Sequence, residues 1–406
     1  MISYPDSVRF LYALGNEIKT AKLGLERIQR VLAALDNPQR AYRIVHVAGT
    51  NGKGSTCAMI EAGLRAAGIR TGLFTSPHLI EPTERIQCDG IPVSREQFQQ
   101  AFNVVHEAAE TLDLDCHPTY FETVTAMAFW LFRELKVKTA VVEVGLGGRL
   151  DATNVVDPAL TVITPIDFDH EIYLGHTLEA IAMEKAGILK PGVPAIFSRQ
   201  RPEAAAVVDR VAAELAIVVR KAETFPVTNL QIDARGSSFS GLCCPLAGEH
   251  QVENAISAAL ALESLGVSPK GIAGTRWPGR LEHVAPNPDI ILDGAHNPAG
   301  ARALAKYLER FYSDRKLHLI YGAMRDKAVE EIGGILFPLA GDLVFVAPAF
   351  ARALRPEALV EIAGRGETAP SVSEALARVR QRATADDVIV ITGSLFLVGE
   401  ARALFA

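Results

Sequence analysis

The 406-residue chain is expected to form an α/β protein with two domains, each built on a doubly wound parallel sheet. Three observations carry that expectation. Short apolar runs alternate with helical patterns along most of the sequence, the rhythm of βαβ units. A glycine-rich loop joins the first such run to a helix, the place of a phosphate-binding turn. The rhythm then breaks at Gly274–Arg280, where Pro278 and two glycines end any helix, and restarts beyond it.

Taken in order, Arg43–Ala48 reads as a buried strand, followed by a helix from about Ser55 to Ala67. A helical run from Thr123 to Leu135 precedes a second strand, Thr139–Val144. Leu160–Thr164 and Pro194–Phe197 are further strands, with a helical run at Thr177–Met183 between them. After the break, Asp289–Asp293 is a strand and Ala299–Phe311 a helix. Leu317–Tyr321, Asp342–Val346 and Asp387–Thr392 complete the second set of strands. The expected domains are therefore 1–276 and 277–406. At roughly 150 residues per domain, length alone allows two or three.

Composition narrows the function classes. Lys and Arg number 41 against 47 Asp and Glu, a net charge of −6. No overall positive field is present to hold nucleic acid or an anionic membrane. The five cysteines form no CxxC pair and no zinc spacing, so they read as reduced thiols of a cytoplasmic protein. The N-terminal residues lack a signal-peptide layout, and no apolar run is long enough to span a bilayer.

The strongest local signal is Gly49-Thr50-Asn51-Gly52-Lys53-Gly54-Ser55-Thr56. Its glycines let backbone N–H groups converge on phosphate oxygens, and the following helix adds its dipole. Lys53 can reach the β- and γ-phosphates, and Ser55 or Thr56 can face Mg²⁺. The spacing differs from G-x-x-x-x-G-K-[ST], with Gly54 inserted before the hydroxyl. Taken alone, the segment is also compatible with a plain glycine-rich turn carrying an exposed lysine.

Other candidates follow along the chain. Glu143 stands inside an apolar strand, where an ionised carboxylate is costly unless paired or bound to metal. His170 follows a predicted parallel strand, at the edge where ligands gather in α/β sheets. Lys185 lies near a helix end capped by Gly187, a common surface arrangement. Tyr120 and Phe121 read equally as ring-stacking groups and as core aromatics at a helix start.

The loop with its extra glycine resembles the ATP loop of the Mur ligase superfamily, and more closely that of its folylpolyglutamate synthase/dihydrofolate synthase branch. The resemblance extends in order from Leu23–Ile28 through Ser76-Pro77-His78-Leu79, Thr119–Glu122, Glu143–Asn154, Asp169-His170 and Glu184–Ile188. It continues through Gly248–Asn254, Trp277–Glu282, Asp293–Pro298 and Gly393–Glu400. It implies a P-loop ATPase domain of Mur-ligase type followed by a smaller Rossmann-like domain. It implies ATP and two Mg²⁺ ions as cofactors, with Ser76, Glu143, His170 and a carbamylated Lys185 at the metals. Asn51, Gly52, Lys53, Gly54, Ser55, Asn254, Arg280 and Asp293 would bind ATP, and Lys53, His170, Lys185 and His296 would serve catalysis. Thr119, Tyr120, Phe121 and Glu122 with Leu150, Asp151 and Ala152 would form the pteroate site. Arg85 would add to a positive cleft.

The implied reaction joins L-glutamate to the carboxylate of dihydropteroate or a folate through an acyl phosphate, in a monomer without nucleic-acid or membrane partners. The Gly-Arg-Leu-Asp-Ala-Thr-Asn form looks like that of enzymes that accept dihydropteroate. In the family, Gly and Thr usually stand where this chain has Asp167 and Glu171. A Mur-type peptidoglycan ligase would need a further N-terminal domain, for which a loop at residue 49 leaves no room. A regulatory nucleotide switch would not need Glu143, His170 and Lys185 together. A dehydrogenase is disfavoured because the first strand does not lead into GxGxxG.

Overall fold

The computed structural model describes residues 2–14, 24–114, 116–325 and 327–405; Leu23 of the Leu23–Ile28 segment lies outside them. The chain divides into two compact units. One holds Met1–Pro77, Glu81–Pro226 and Glu253–Thr275, and the other His78–Ile80, Val227–Val252 and Arg276–Ala406. The division at Thr275 falls beside the Pro/Gly break of the sequence. The segment 227–252 groups with the second unit because its side chains and backbone are tied there. Tyr307 Oη donates to the Ala234 carbonyl at 2.8 Å, and Glu249 pairs with Lys306 and Arg310.

The first unit is built on eight strands: β1 (Arg43–Ala48), β2 (Thr71–Phe74), β3 (Ile86–Cys88), β4 (Ile91–Pro92), β5 (Thr139–Glu143), β6 (Leu160–Ile163), β7 (Ala195–Phe197) and β8 (Val219–Lys221). Their order is β4-β3-β2-β5-β1-β6-β7-β8, parallel except for the β2–β3–β4 edge. Helices α1 (Tyr4–Ala13), α2 (Glu26–Ala34), α3 (Lys53–Ala66), α4 (Arg95–Glu110), α5 (Tyr120–Glu134), α6 (Glu171–Leu174), α7 (Leu178–Ala186) and α8 (Pro202–Glu214) accompany them, as does α9 (Glu249–Ser264) from Glu253 onward.

Both faces of this sheet are apolar, as parallel strands require. Ile44, Ala140 and Val142 pack with Phe98 and Phe102 of α4 and Phe129 and Phe132 of α5. Ala48 and Ile163, on the same face, pack with Ile181 of α7 and Val208 of α8. Residues of the other parity, Val45, Val47, Val141 and Val162, are also fully buried. On α3, a Cβ at Gly63 would come within 2.3 Å of Leu262 on α9, so glycine permits that close helix approach.

The second unit holds a small antiparallel sheet of β9 (Gln231–Ile232), β10 (Ser237–Phe239) and β11 (Leu242–Cys244). Its main sheet has β12 (Glu282–Ala285), β13 (Asp289–Leu292), β14 (Leu317–Tyr321), β15 (Asp342–Phe345), β16 (Glu367–Thr368) and β17 (Val388–Thr392). Their order is β12-β13-β17-β14-β15-β16, with only β12 antiparallel. Alternation divides the strands cleanly. Ile291, Leu319 and Val390 pack with α10 (Pro298–Tyr312) and α11 (Val329–Leu336). Ile290, Ile320 and Ile389 pack with α13 (Val372–Arg382) and α14 (Leu395–Arg402), while Leu359 of α12 (Pro356–Ala363) joins the first face.

Candidate active site

In the first unit, β1 lies between β5 and β6, with Val47 opposite Glu143 and Ala48 opposite Ile163. Three carboxyl ends therefore converge on the glycine-rich loop, the position at which open α/β sheets hold ligands. The helix α3 begins at Lys53, two residues before the expected start. Gly52 explains the shift: its φ of 81° turns the chain directly into the helix. A Cβ at Gly52 would lie 2.2 Å from Asn254 Oδ1, which places that side chain against the loop. Gly49 is equally constrained, because a Cβ there would meet Thr164 Oγ1 at 1.8 Å.

The loop is tied down from one side. Thr50 and Asn51 N–H donate to the Pro165 carbonyl at 2.9 and 3.1 Å, and Thr50 Oγ1 donates to the Asp167 carbonyl at 2.9 Å. Two backbone amides are thus committed to holding the loop. The first-turn amides of α3, from Lys53 to Ser55, lack intrahelical acceptors by position and suit an anion. Lys53 Nζ donates to the Thr50 carbonyl at 3.2 Å, folding the amine back over the loop.

Beside the loop, Ser76 N–H donates to Glu143 Oε2 at 3.1 Å, so these two residues, distant in sequence, meet. Lys185, 4% exposed, donates to the Gly49 carbonyl at 2.8 Å. Burial pulls its pKa down to about 7; neighbouring Lys53 lowers it further, while Asp169 and Asp151 oppose the shift. The buried Cys57 thiol, on the first turns of α3, is pushed well up by burial and by Glu143, while Lys53 pulls it down. Lys53, Glu143, Ser76 and Lys185 thus belong to one neighbourhood. His170, with φ of 53°, caps the short α6, and its Nε2 lies 3.9 Å from Asp169 Oδ1.

The two unusual acids take different places. Asp167 Oδ1 accepts from Phe168 N–H at 2.9 Å and lies 3.5 Å from Arg201 Nη1. Glu171 faces the exposed His176 at 3.5 Å.

The segment expected to hold pteroate has strong structural roles. Thr119 and Glu122 form a reciprocal capping box, which starts α5 three residues before its expected first turn. Glu122 also pairs with Arg27 at 3.1 Å. Tyr120 is buried, under the Arg85 guanidinium at 5.0 Å and stacked with Tyr12 at 5.8 Å. Phe121 is half-buried, and its ring lies where a Cβ at Gly145 would come within 2.5 Å. Asp151 accepts from Leu146 N–H at 2.8 Å, Thr153 N–H at 3.0 Å and the Thr153 hydroxyl. It therefore sets the shape of the Gly145–Asn154 loop. Ala152 joins the core beside α5, and Leu150 is half-buried.

In the second unit, Asp293 follows β13 and accepts from Leu281 and Ala295 N–H, both at 2.9 Å. Burial raises its pKa, while Arg280 opposes the rise. A Cβ at Gly294 would lie 2.2 Å from Arg280 Nη1. His296 Nδ1 donates to the Gly294 carbonyl at 2.7 Å. Arg280, Asp293 and His296 are thus gathered at the carboxyl end of β13. Sequence reasoning missed Thr50, whose hydroxyl and amide both hold the loop, and His250, which burial and Arg280 lower to about 4. Both lie inside motifs singled out for their neighbours.

The donor set fits Mg²⁺. Glu143 offers a buried carboxylate that accepts from the Ser76 backbone N–H, and oxygen ligands such as this carboxylate suit a hard cation. Lys185 would join them as an oxygen donor only as a carbamate, and a pKa near 7 keeps much of its amine neutral for reaction with CO₂.

The Mur ligase middle domain family matches residues 47–262, and the Mur ligase glutamate ligase domain matches residues 279–395. The chain is 36% identical to the dihydrofolate synthase/folylpolyglutamate synthase of Bacillus subtilis over 94% of each chain. Mycobacterium tuberculosis folylpolyglutamate synthase, solved with ADP and AMPPCP, superposes with a TM-score of 0.91 at 36% identity over 99% of both chains. Escherichia coli FolC, solved with DHPP and ADP, gives 0.89 at 33% identity, over 100% of this chain and 99% of that one.

Proposed function

The chain belongs to the folylpolyglutamate synthase/dihydrofolate synthase family of Mur ligases and joins glutamate to folate with ATP, and we propose that it accepts both dihydropteroate and tetrahydrofolate. The observation that carries this reading is the Gly145–Asn154 loop. Asp151 locks it beside Phe121, and its Gly-Arg-Leu-Asp-Ala-Thr-Asn sequence looks like that of enzymes that accept dihydropteroate.

In the reaction, the substrate carboxylate attacks the γ-phosphate of ATP, releasing ADP and leaving an acyl phosphate. The glutamate amine then adds to that acyl carbon, and the tetrahedral intermediate expels phosphate. Positioning and charge neutralisation provide most of the rate. In this reading the first-turn amides of α3 and Lys53 hold the β- and γ-phosphates, and Asn254, whose side chain lies against Gly52, contacts the nucleotide. Two Mg²⁺ ions, held by Ser76, Glu143, His170 and a carbamylated Lys185, would supply further neutralisation of phosphate charge. Arg280, Asp293 and His296, gathered at the carboxyl end of β13, are the residues of the second unit to which the family resemblance gives roles at ATP.

No helix among the described residues is long and apolar enough to cross a membrane. The five free cysteines support a reducing cytoplasmic setting, and a monomer is the expected state. Phosphate release in the presence of ATP and glutamate, measured once with dihydropteroate and once with tetrahydrofolate, tests the proposal. Activity with both is expected; activity with tetrahydrofolate alone would make the enzyme a monofunctional folylpolyglutamate synthase.

A further inference from the structure

A second group of metal-ligating side chains lies in the first unit and has no part in the reaction above. His106 and Glu110 stand one helical turn apart at the end of α4, and His117 enters from the segment that leads to Thr119. Each offers one ligand atom, and the three atoms lie within 4.8 Å of one another. His106 Nδ1 and His117 Nε2 are 3.4 Å apart, and Glu110 Oε1 is 3.9 Å from His117 Nε2.

The hydrogen bonds orient this group as a ligand set. His117 Nδ1 lies 2.8 Å from the Pro118 carbonyl, which can only accept, so Nδ1 carries the proton. The Nε2 lone pair then points at His106. A backbone carbonyl fixing the far nitrogen of an imidazole is the usual support of a metal-bound histidine. Phe10 meets both rings edge-on, at 4.8 and 5.2 Å, and Phe102 stacks on His106 at 5.4 Å. The aromatics restrict both imidazoles, whereas Glu110 is exposed and can swing in.

Distances select the kind of ion. Two imidazole nitrogens held about 2.0–2.1 Å from a tetrahedral Zn²⁺ are roughly 3.3–3.4 Å apart. The observed separation of 3.4 Å equals that spacing. Two imidazoles and one carboxylate suit a borderline d-block cation and disfavour Mg²⁺, which prefers oxygen. We propose that His106, Glu110 and His117 form a binding site for a divalent transition metal of the Zn²⁺ type, separate from the nucleotide centre. Without the ion, His106 Nδ1–H donates to His117 Nε2. On binding, His106 moves its proton to Nε2 through solvent, so both lone pairs meet the cation without net proton release. The bound ion would tie the segment ahead of α5 to the end of α4, and Thr119, the cap of α5, lies two residues beyond His117.

The test is a Zn²⁺ titration of the full chain after EDTA treatment and dialysis, in excess Mg²⁺ and ADP so that the nucleotide centre is filled. Co²⁺ absorption reports the geometry. One equivalent with a tetrahedral Co²⁺ spectrum is expected, weakened at least about tenfold by H106A or by H117A. C116S should bind as the parent does, because the neighbouring thiol is not a ligand. Absence of binding, equal affinity in the histidine variants, or loss in C116S alone overturns the proposal. If a variant fails to fold, anomalous scattering at the zinc edge in crystals of the parent protein decides. A peak between His106 and His117 supports the site, and density only elsewhere refutes it.

Discussion

The side-chain nitrogen of Lys185 donates a 2.8 Å hydrogen bond to the carbonyl of Gly49, the first residue of the phosphate loop. A lysine buried against the loop, with Lys53 as a neighbour, has its pKa pulled down to about 7. Below that pH the amine is charged and cannot attack CO₂; above it, the neutral fraction grows. In bicarbonate, ligase activity should therefore rise as pH passes upward through 7, and intact mass should gain one CO₂. The K185R variant, which cannot form a carbamate, should lose roughly a hundredfold or more in kcat. Near-parental turnover in K185R would remove the carbamate from the mechanism.

The left-handed Gly52 makes a sharp prediction. In G52A the new methyl would meet Asn254 Oδ1 at 2.2 Å while φ stays at 81°. Such a residue costs about 1–3 kcal/mol, and the loop will relax away from phosphate. ADP affinity by calorimetry should fall at least tenfold, with a smaller loss in urea midpoint. Unchanged ADP affinity would show that this turn does not set the phosphate site.

Asp151 should separate the two substrates. Its two oxygens accept from Leu146 N–H and from both the N–H and the hydroxyl of Thr153, and D151N replaces one of those acceptors with a donor. A buried unsatisfied partner costs about 1–3 kcal/mol. Turnover with dihydropteroate should fall more steeply than with tetrahydrofolate. Equal losses would mean that the loop serves both substrates alike.

Stability should depend on His46. This residue is fully buried on β1 and its Nε2 lies 2.8 Å from Thr153 Oγ1. Burial, helped by Lys190, lowers its pKa from 6.5 to about 3. The unfolded chain then binds a proton below 6.5 that the folded chain refuses. Stability from this group is complete above 6.5 and is lost as pH falls toward 3, at up to about 1.4 kcal/mol per pH unit. Urea denaturation between pH 7 and 5 should show this slope, reduced in H46Q. An identical slope in H46Q would place the acid sensitivity elsewhere.

Much of the main sheets was legible because parallel strands buried on both faces leave continuous apolar runs. Arg43–Ala48 and Leu317–Tyr321 have the expected limits. Glu143 stood out as a carboxylate in such a run, and the structure brings it to Ser76. The short strands β3, β4 and β9–β11 are two or three residues long and carry no readable period. The partnership of Thr50 with Pro165 joins residues far apart in sequence, and no local pattern encodes it. Thr119 and Glu122 carried a plain T-x-x-E helix-start signal, and the geometry gives it full weight beside the expected substrate role.

Strand order has a consequence for how the protein is made. In the first unit β5 sits between β2 and β1, and in the second β17 sits between β13 and β14. On the ribosome, β1 and β2, and later β13 and β14, emerge long before the strand that fills the slot between them. Until then each pair exposes unpaired backbone along the edges that will become the centre of its sheet, a template for wrong partners. Closing such long-range pairings is slow. The centre of each sheet therefore closes only after the strands on both of its sides have been made, and the nascent chain is most exposed to aggregation just before β5 and just before β17 arrive.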